Sequence, residues 1–371
     1  MVLPDRPPAL VYLDLFVYIK MAEVEAGMAR PGYAELLDAC RRARAERRAL
    51  FPLSSTHVLE LCDIASVELR RARVAVMEEL SNFNYLLGRP QIQELEVEAA
   101  LGEIPGVDIA PQGPFPLLGP SALWAFGRRG GLVTNAPDPN ATAAHVCPQL
   151  GIEVGDDAME NLNRWAERQL LTGPDDHNDP VLQRTGYTLD VWRNMLEQRA
   201  EQERHVVREL DKDPGLRRGR LRDAVNALEQ VIELEEVLRK TTAPLSTSLV
   251  ELLESDRAKL RDFTDRMPST RTAVSLKTHY HRDGQKDCNS NDINDIDALA
   301  IAVPYCDAVF TDKAARNGVV SSKELEFLTP SCRVVQRNWP TGSTSARHRL
   351  SRACLPRRRH RPSVWLERSA T

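Results

Sequence analysis

Acidic residues follow short apolar runs at widely separated points of the chain. Asp14 comes directly after ALVYL, and Asp312 follows the strand-like segment DAVFT. Glu60 lies in STHVLEL, and Asp292 and Asp295 lie in NDINDIDALAIA. Open α/β folds place their sites at the carboxyl edge of a parallel sheet, and clustered carboxylates are tolerated there mainly when a hard cation neutralises them. The pattern therefore predicts an α/β fold with a metal-dependent site.

The charge of the 371-residue chain is unevenly distributed. Its formal net charge is −4, yet residues 333–371 are rich in Arg and contain a single acid, Glu367. Everything before residue 333 is therefore clearly acidic, and the body of the chain is not predicted to be a strong polyanion binder.

Cysteine usage and the N-terminal sequence predict a cytoplasmic protein with no membrane partner. The seven cysteines form no CxxC pair and are odd in number, which favours reduced, mostly buried thiols over a disulfide framework or a cysteine zinc site. The opening MVLPDRPPALVYLDLFVYIK lacks a basic leader region, and its apolar run is too short to cross a bilayer.

Hydrophobic periodicity predicts alternating strands and helices in the first hundred residues. A buried strand over residues 9–13 delivers Asp14 at its end, and two helices follow, separated by RPG at residues 30–32. LFPLS is typical of a second short strand. The spacing then predicts one helix from Ser54 to Phe83, with Glu60 in its first turns.

Composition divides the chain into five segments. Residues 1–102 and 276–336 contain the strand and helix patterns and are expected to share one sheet. Residues 103–153 are rich in Pro and Gly, which favours irregular structure, and residues 154–275 show helical spacing throughout. Residues 337–371 have no sustained apolar period, which favours a disordered basic tail.

The segments LVYLDLFVYIK, STHVLEL and NDINDIDALAIAVPYCDAVFTDK together resemble the PIN domain ribonucleases, in particular long bacterial members with a helical insertion. The resemblance covers about the first hundred residues and the stretch from about Thr278 to Val335, and the middle of the chain is unmatched. It implies a three-layer α/β/α sandwich with a central parallel sheet, here with a large helical insertion.

The resemblance also implies an acidic site that binds Mg²⁺ or Mn²⁺ and hydrolyses RNA phosphodiester bonds, leaving a 5′-phosphate and a 3′-hydroxyl. Asp14, Glu60, Asp295 and Asp312 correspond to the family's catalytic, metal-binding acids. Thr311 resembles its supporting hydroxyl, although in this chain the threonine directly precedes the acid where the common pattern has one residue between them.

Chemistry supports the same assignment independently of the family. Mg²⁺ prefers oxygen ligands, keeps several waters, and can activate a bound water for attack on phosphorus. Asp292 and Asp295 are three residues apart and therefore share a helix face, whereas Asp297 is turned by roughly 160° from Asp295. Asp292 is predicted as an additional metal ligand or water contact, with a purely capping role as the alternative. Asp297 is predicted to be a solvated or turn residue.

The expected partner is single-stranded RNA, with a homodimer and a protein inhibitor left open. Two other functions stay open as well. One is a nucleic-acid-binding or protein-interaction module on a PIN-like scaffold without turnover, and the other is a nuclease that cleaves DNA. Divalent-ion-dependent cleavage of RNA and of DNA of the same sequence separates the three.

Overall fold

The computed structural model describes residues 7–109, 115–245, 249–283, 286–325 and 331–333. The predicted basic tail at residues 337–371 lies outside the described residues.

A small parallel sheet lies at the centre of the predicted strand-containing segments. Its strand order is β2-β1-β5-β6, with neighbours parallel, and β3 and β4 form a separate antiparallel pair. The strands are β1 (Ala9–Leu13), β2 (Ala49–Leu50), β3 (Tyr85–Leu86), β4 (Leu118–Gly119), β5 (Ala308–Phe310) and β6 (Ser331–Arg333).

Helices make up most of the described chain. The α-helices are α1 (Leu15–Glu25), α2 (Tyr33–Ala45), α3 (Ser55–Cys62), α4 (Val67–Ser81), α5 (Arg89–Gly102), α6 (Pro139–Val146), α7 (Ala158–Thr172), α8 (Pro180–Arg184), α9 (Asp190–Asp211), α10 (Pro214–Gly219), α11 (Leu221–Ile232), α12 (Glu235–Thr242), α13 (Leu249–Leu252), α14 (Arg257–Asp265), α15 (Pro268–Arg282), α16 (Ser290–Tyr305) and α17 (Lys313–Ser321). Short 3₁₀ helices span Ala122–Phe126, Cys147–Leu150, Ala243–Leu245 and Lys323–Leu325. Parallel strands connected through helices confirm the predicted α/β class.

The central strand β1 is buried on both of its faces. Val11 and Leu13 pack into an apolar cluster with α1, α2 and α4, whereas Tyr12 packs into a second cluster formed largely by α15 and α16. Successive strand residues point to opposite faces, so the continuous apolar run that precedes Asp14 is explained by helices on both sides.

The predicted helix from Ser54 to Phe83 is wrong, because it is broken into α3 and α4. The Ser66 hydroxyl accepts a hydrogen bond from the Leu69 amide at 3.2 Å and caps α4. Buried Arg70 donates from Nη1 to the Ile64 and Ala65 carbonyls at 2.6 and 3.1 Å. These bonds satisfy two carbonyl groups of the connection between α3 and α4.

The Pro/Gly-rich segment contains β4, α6 and two of the 3₁₀ helices, so its described part is more regular than predicted. Asp138 caps α6 by accepting a hydrogen bond from the Ala141 amide at 3.0 Å. The predicted boundary between the helical segment and residues 276–336 falls inside a helix, because α15 runs without interruption across residue 275.

A network of buried ion pairs joins the helical region to α5 and α16. Arg89 on α5 pairs with Asp297 on α16, and with Glu229 on α11 at 2.8 Å. Lys277 on α15 pairs with Glu229 at 2.8 Å and with Glu203 on α9 at 2.7 Å. The prediction that Asp297 is solvated is therefore wrong, because its side chain is only 15% exposed and is bound by arginine.

Arg199 on α9 extends this network. It pairs with Asp297 at 2.6 Å and with Glu233 at 3.3 Å, and Lys277 lies 3.5 Å from Glu233. Burial alone would raise the pKa of Glu233, but Lys277 and Arg199 outweigh burial and lower it to about 2. The pKa of Lys277 is raised, because its glutamate partners outweigh the effect of burial. The network is therefore charged at neutral pH.

The described cysteines are free thiols, and the described helices include no membrane span. Cys40, Cys147, Cys288 and Cys306 are buried free thiols and Cys62 is a half-buried one, as predicted. In the described ranges, every helix is too short or too polar to cross a membrane.

Candidate metal centre

Asp14 lies at the carboxyl end of β1, where the strand turns into α1. Its amide donates to the Phe310 carbonyl at 2.9 Å, and its carboxylate caps α1 by accepting from the Phe16 amide at 3.4 Å. Burial raises the pKa of Asp14, the hydrogen bond from Thr311 lowers it, and the nearby charge of Asp312 raises it, with a net upward shift. The carboxylate is therefore poorly compensated by its protein surroundings.

Thr311 and Asp312 continue β5 at the same edge of the sheet. β1 and β5 are neighbouring parallel strands paired from Val11 to Leu13, so the residues that follow them are adjacent. The buried Thr311 hydroxyl donates to Asp14 Oδ2 at 2.9 Å, and Asp312 caps α17 by accepting from the Ala315 amide at 2.8 Å. The threonine therefore holds the first acid, although it directly precedes the second.

Glu60 lies in the second turn of α3 and faces α16. Burial, together with the charges of Asp14 and Asp63, raises the pKa of Glu60 to about 8, even though a hydrogen bond from the Asn294 side chain opposes the shift. Asn294 is buried, and its Oδ1 has no hydrogen-bond partner among the described residues. The Asn294 side-chain amide therefore holds Glu60 through its hydrogen bond while its own oxygen is left unpaired among the described residues.

Asp295 lies on α16 and is surrounded by other acids of the site. Burial and the charges of Asp14, Asp312, Glu60 and Asp292 together raise its pKa to about 8. The structure therefore brings the other four predicted site residues within electrostatic reach of Asp295.

Asp292 is positioned differently from the other four acids. The N-cap of α16 is Asn289, and Asp292 lies three residues later, where its Oδ2 accepts from the Asn289 amide at 3.0 Å in a capping box. Its Oδ1 lies 2.6 Å from the Lys286 ammonium group. Asp292 therefore belongs to a capping box but is not the N-cap that the alternative predicted, and its carboxylate already has a cationic partner.

Tyr280 and Lys286 belong to the site but were not identified from the sequence. Burial, followed by the charges of Asp295, Asp292 and Asp312, raises the pKa of the Tyr280 phenol. The Lys286 ammonium group lies 4.2 Å from the centre of the Tyr280 ring, a cation–π distance. Neither residue belongs to an acidic pattern, so only the tertiary contacts of Tyr280 on α15 and of Lys286 between α15 and α16 identify them.

His57, three residues before Glu60, has a structural role. Its Nδ1 accepts from the Ser54 amide at 2.9 Å, and its Nε2 donates to the Leu13 carbonyl at 2.8 Å. Burial lowers the pKa of His57 to about 4, so the ring is neutral at physiological pH. The side chain ties the start of α3 to the end of β1 and thereby fixes Glu60 relative to Asp14.

The acids are neighbours but do not form a closed coordination shell. Among the residues that the structure describes, no three His, Cys, Asp or Glu side chains are arranged so that they could hold one metal ion directly. The donors available are all hard oxygens, namely carboxylates and the unpaired Asn294 Oδ1. This chemistry fits Mg²⁺ or Mn²⁺, which accept few protein ligands and keep several waters.

Comparison of the chain with family models, with curated proteins and with solved structures returned no match. The site is therefore assigned from its own geometry and chemistry.

We expect the stability of the metal-free protein to fall as pH rises toward 8. The ordinary pKa values of Asp295 and Glu60 are 3.8 and 4.5, and both are raised to about 8 in the fold. Between these values the folded state binds more protons than the unfolded state, so stability is lost with increasing pH by up to about 1.4 kcal/mol per pH unit for each group.

Denaturant unfolding in EDTA and in Mg²⁺ at pH 6 and pH 8 measures this effect. Mg²⁺ binds the ionised carboxylates, so it should stabilise the protein more at pH 8 than at pH 6, where bound protons compete with the ion. Equal stabilisation at the two pH values would show that these acids do not bind the ion.

Proposed function

We propose that the chain is a PIN-like, Mg²⁺-dependent ribonuclease. The observation that carries the proposal is the convergence of Asp14, Glu60, Asp295 and Asp312 from β1, α3, α16 and the end of β5. Burial raises the pKa values of Asp14, Glu60 and Asp295, and clustered carboxylates of this kind are costly unless a cation or a catalytic role accounts for them. A phosphodiesterase that binds a divalent cation would supply both the cation and the catalytic role.

The PIN-like α/β/α sandwich is part of the same proposal. Three features support it: the parallel order β2-β1-β5-β6, apolar packing on both faces of β1, and acids at the carboxyl edge. In this arrangement residues 1–102 and 276–336 form the nuclease domain, and the helices between residues 154 and 275 shape access to the site.

Asp14, Glu60, Asp295 and Asp312 are proposed to hold Mg²⁺ or Mn²⁺ in part through coordinated waters, because no three described His, Cys, Asp or Glu side chains are arranged to bind one ion directly. Asp292 is proposed to contact a water of the ion, because its own oxygens already accept from Lys286 and Asn289. When bound, such an ion lowers the pKa of a coordinated water and stabilises negative charge on the leaving oxygen.

Other residues of the site orient these acids. Thr311 fixes Asp14 through one hydrogen bond, and the Asn294 amide fixes Glu60 through another. Orienting groups of this kind commonly change metal affinity by 10- to 100-fold when removed. Lys286 is the cation nearest to Asp292 and is suited to hold a phosphate oxygen of the RNA.

The test is cleavage of a single-stranded RNA oligonucleotide by the purified protein in Mg²⁺, Mn²⁺ or EDTA. We expect cleavage to a 5′-phosphate and a 3′-hydroxyl with either ion and none in EDTA. A DNA oligonucleotide of the same sequence tests the alternative of a DNA-cleaving nuclease. RNA binding without cleavage in either ion would contradict the enzymatic assignment and favour the non-catalytic binding module.

A further inference from the structure

An arginine-lined cleft lies between α2, α4 and α7, and none of its lining residues belongs to the candidate metal centre. The cleft encloses about 500 Å³, within the range of small-molecule sites. Its charged lining consists of Arg44, Arg71, Glu78, Glu79, Arg164 and Arg168.

Ion pairing within the protein leaves positive charge in this cleft. Glu79 is held by both Nε and Nη2 of Arg41, at 2.6 and 2.7 Å, and Arg41 does not line the cleft. Glu78 forms ion pairs with both Arg164 and Arg168, at 2.9 and 2.6 Å. The cleft is therefore lined by four arginines and two glutamates, and Glu79 is already neutralised by an arginine outside the cleft. Of the two lining carboxylates, only Glu78 remains to balance the four lining arginines.

Two of these arginines are available to a ligand at low cost. The Arg44 guanidinium makes no hydrogen bond or ion pair with any residue that the structure describes, although its charge helps to lower the pKa of Glu79. In the described part of the chain, Arg71 forms an ion pair with Asp175 alone, and these side chains are 57% and 73% exposed. An exposed pair of this kind contributes little and exchanges readily for a better anion.

A third arginine is held in position before any ligand arrives. Arg164 donates to Asn82 Oδ1 at 2.7 Å, and its guanidinium carbon lies 5.4 Å from the centre of the Phe83 ring. Side chains that are already ordered lose less conformational entropy when they bind.

We propose that this cleft binds a multiply charged phosphate group. Guanidinium groups match phosphate oxygens through paired, charge-assisted hydrogen bonds, and several of them around one cleft favour a ligand with more than one negative charge. The uncharged lining residues are Val74, Ala75 and Thr172, so the lining offers no aromatic ring on which a nucleotide base could stack. The cleft is therefore expected to recognise the phosphates of its ligand. The acidic composition of the body conceals this local surplus of positive charge.

The probe is tripolyphosphate, titrated calorimetrically into the full chain in EDTA at low salt, so that divalent ions and the metal centre do not contribute. The test variant carries both Arg44→Gln and Arg71→Gln, neither of which removes a buried partner. We expect saturable binding by the parent and at least a 30-fold weaker affinity in the double variant. The matched control is Arg208→Gln, an exposed arginine paired with Glu201 away from the cleft, which should bind like the parent.

All of these proteins keep the Arg-rich sequence at residues 333–371, so any binding by that sequence is common to them. Competition by single-stranded RNA would assign the phosphates to a nucleic-acid backbone, and absence of competition would assign them to a small phosphorylated molecule; the proposal holds in both cases. Failure of the parent to bind tripolyphosphate, or equal losses in the double variant and in Arg208→Gln, would overturn it. Because no metal is present, this result is independent of the ribonuclease proposal.

Discussion

Asp295→Asn should lower Mg²⁺-dependent RNA cleavage by about 1,000-fold or more, while making the metal-free protein more stable at pH 8. A bound divalent ion contributes several kcal/mol of transition-state stabilisation, and a loss of about 4 kcal/mol corresponds to this change in rate. Stability should rise because the substitution removes a carboxylate whose pKa is raised to about 8 by burial and by four neighbouring acids. The two effects are measured by initial cleavage rates and by denaturant unfolding in EDTA.

A lower cleavage rate together with a higher stability distinguishes the loss of a metal ligand from damage to the fold, which would lower both. Asp287→Asn is the matched control, because Asp287 precedes the same helix but is 83% exposed and lies 4.0 Å from Arg204. It should change both activity and stability little. If Asp295→Asn cleaved RNA as fast as the parent, or lost activity only in proportion to a loss of folded protein, Asp295 would not be a metal ligand.

Lys277→Met should destabilise the protein by about 3–5 kcal/mol, since removing one partner of a buried ion pair leaves the other charge uncompensated. Lys277 is 5% exposed and lies 2.7 Å from Glu203 and 2.8 Å from Glu229. Burial alone would raise the pKa of Glu203, but Lys277 and His281 lower it to about 2. The measurement is the free energy of unfolding from denaturant titration.

The destabilisation should be smaller at pH 5 than at pH 8. Without the ammonium group, the pKa values of the buried glutamates rise, so the variant loses stability relative to the parent as they ionise. Lys212→Met is the control, because Lys212 and its partner Glu209 are 69% and 50% exposed, and an exposed pair of this kind contributes little to stability. A cost for Lys277→Met no larger than for Lys212→Met would show that the network is solvated.

The acids of the site could be located from sequence because local patterns define their positions. A short apolar run before Asp14 and before Asp312 predicts parallel strands, and parallel strands place the residues after them at one edge. The structure confirms that β1 and β5 are neighbours. The metal and the reaction stay predictions, because a carboxylate pattern constrains the ligand chemistry but not the exact positions of the side chains.

Asp297 shows where periodicity fails. The helical turn correctly placed Asp297 away from Asp295, but it cannot tell whether the opposite face of α16 meets water or another helix. Here that face meets arginines from α5 and α9, which are 208 and 98 residues away in sequence. Lys286 and Tyr280 were missed for the same reason, since their roles depend on tertiary packing.

The break between α3 and α4 was missed because apolar spacing continues across it. Ser66 was a usable capping signal, but the carbonyl groups at the break are satisfied by Arg70, whose Nε also donates to the Thr172 carbonyl at 2.7 Å. A long-range partner of this kind leaves no local pattern in the sequence.

The most direct test is anomalous diffraction from crystals of the protein soaked in Mn²⁺ at pH 8. We expect an anomalous peak among Asp14, Glu60, Asp295 and Asp312, with some ligand positions filled by water. This peak should be absent from crystals of the Asp295→Asn variant. No peak at these carboxylates in the parent, or a peak of equal height in the variant, would contradict the claim that these acids hold a divalent cation.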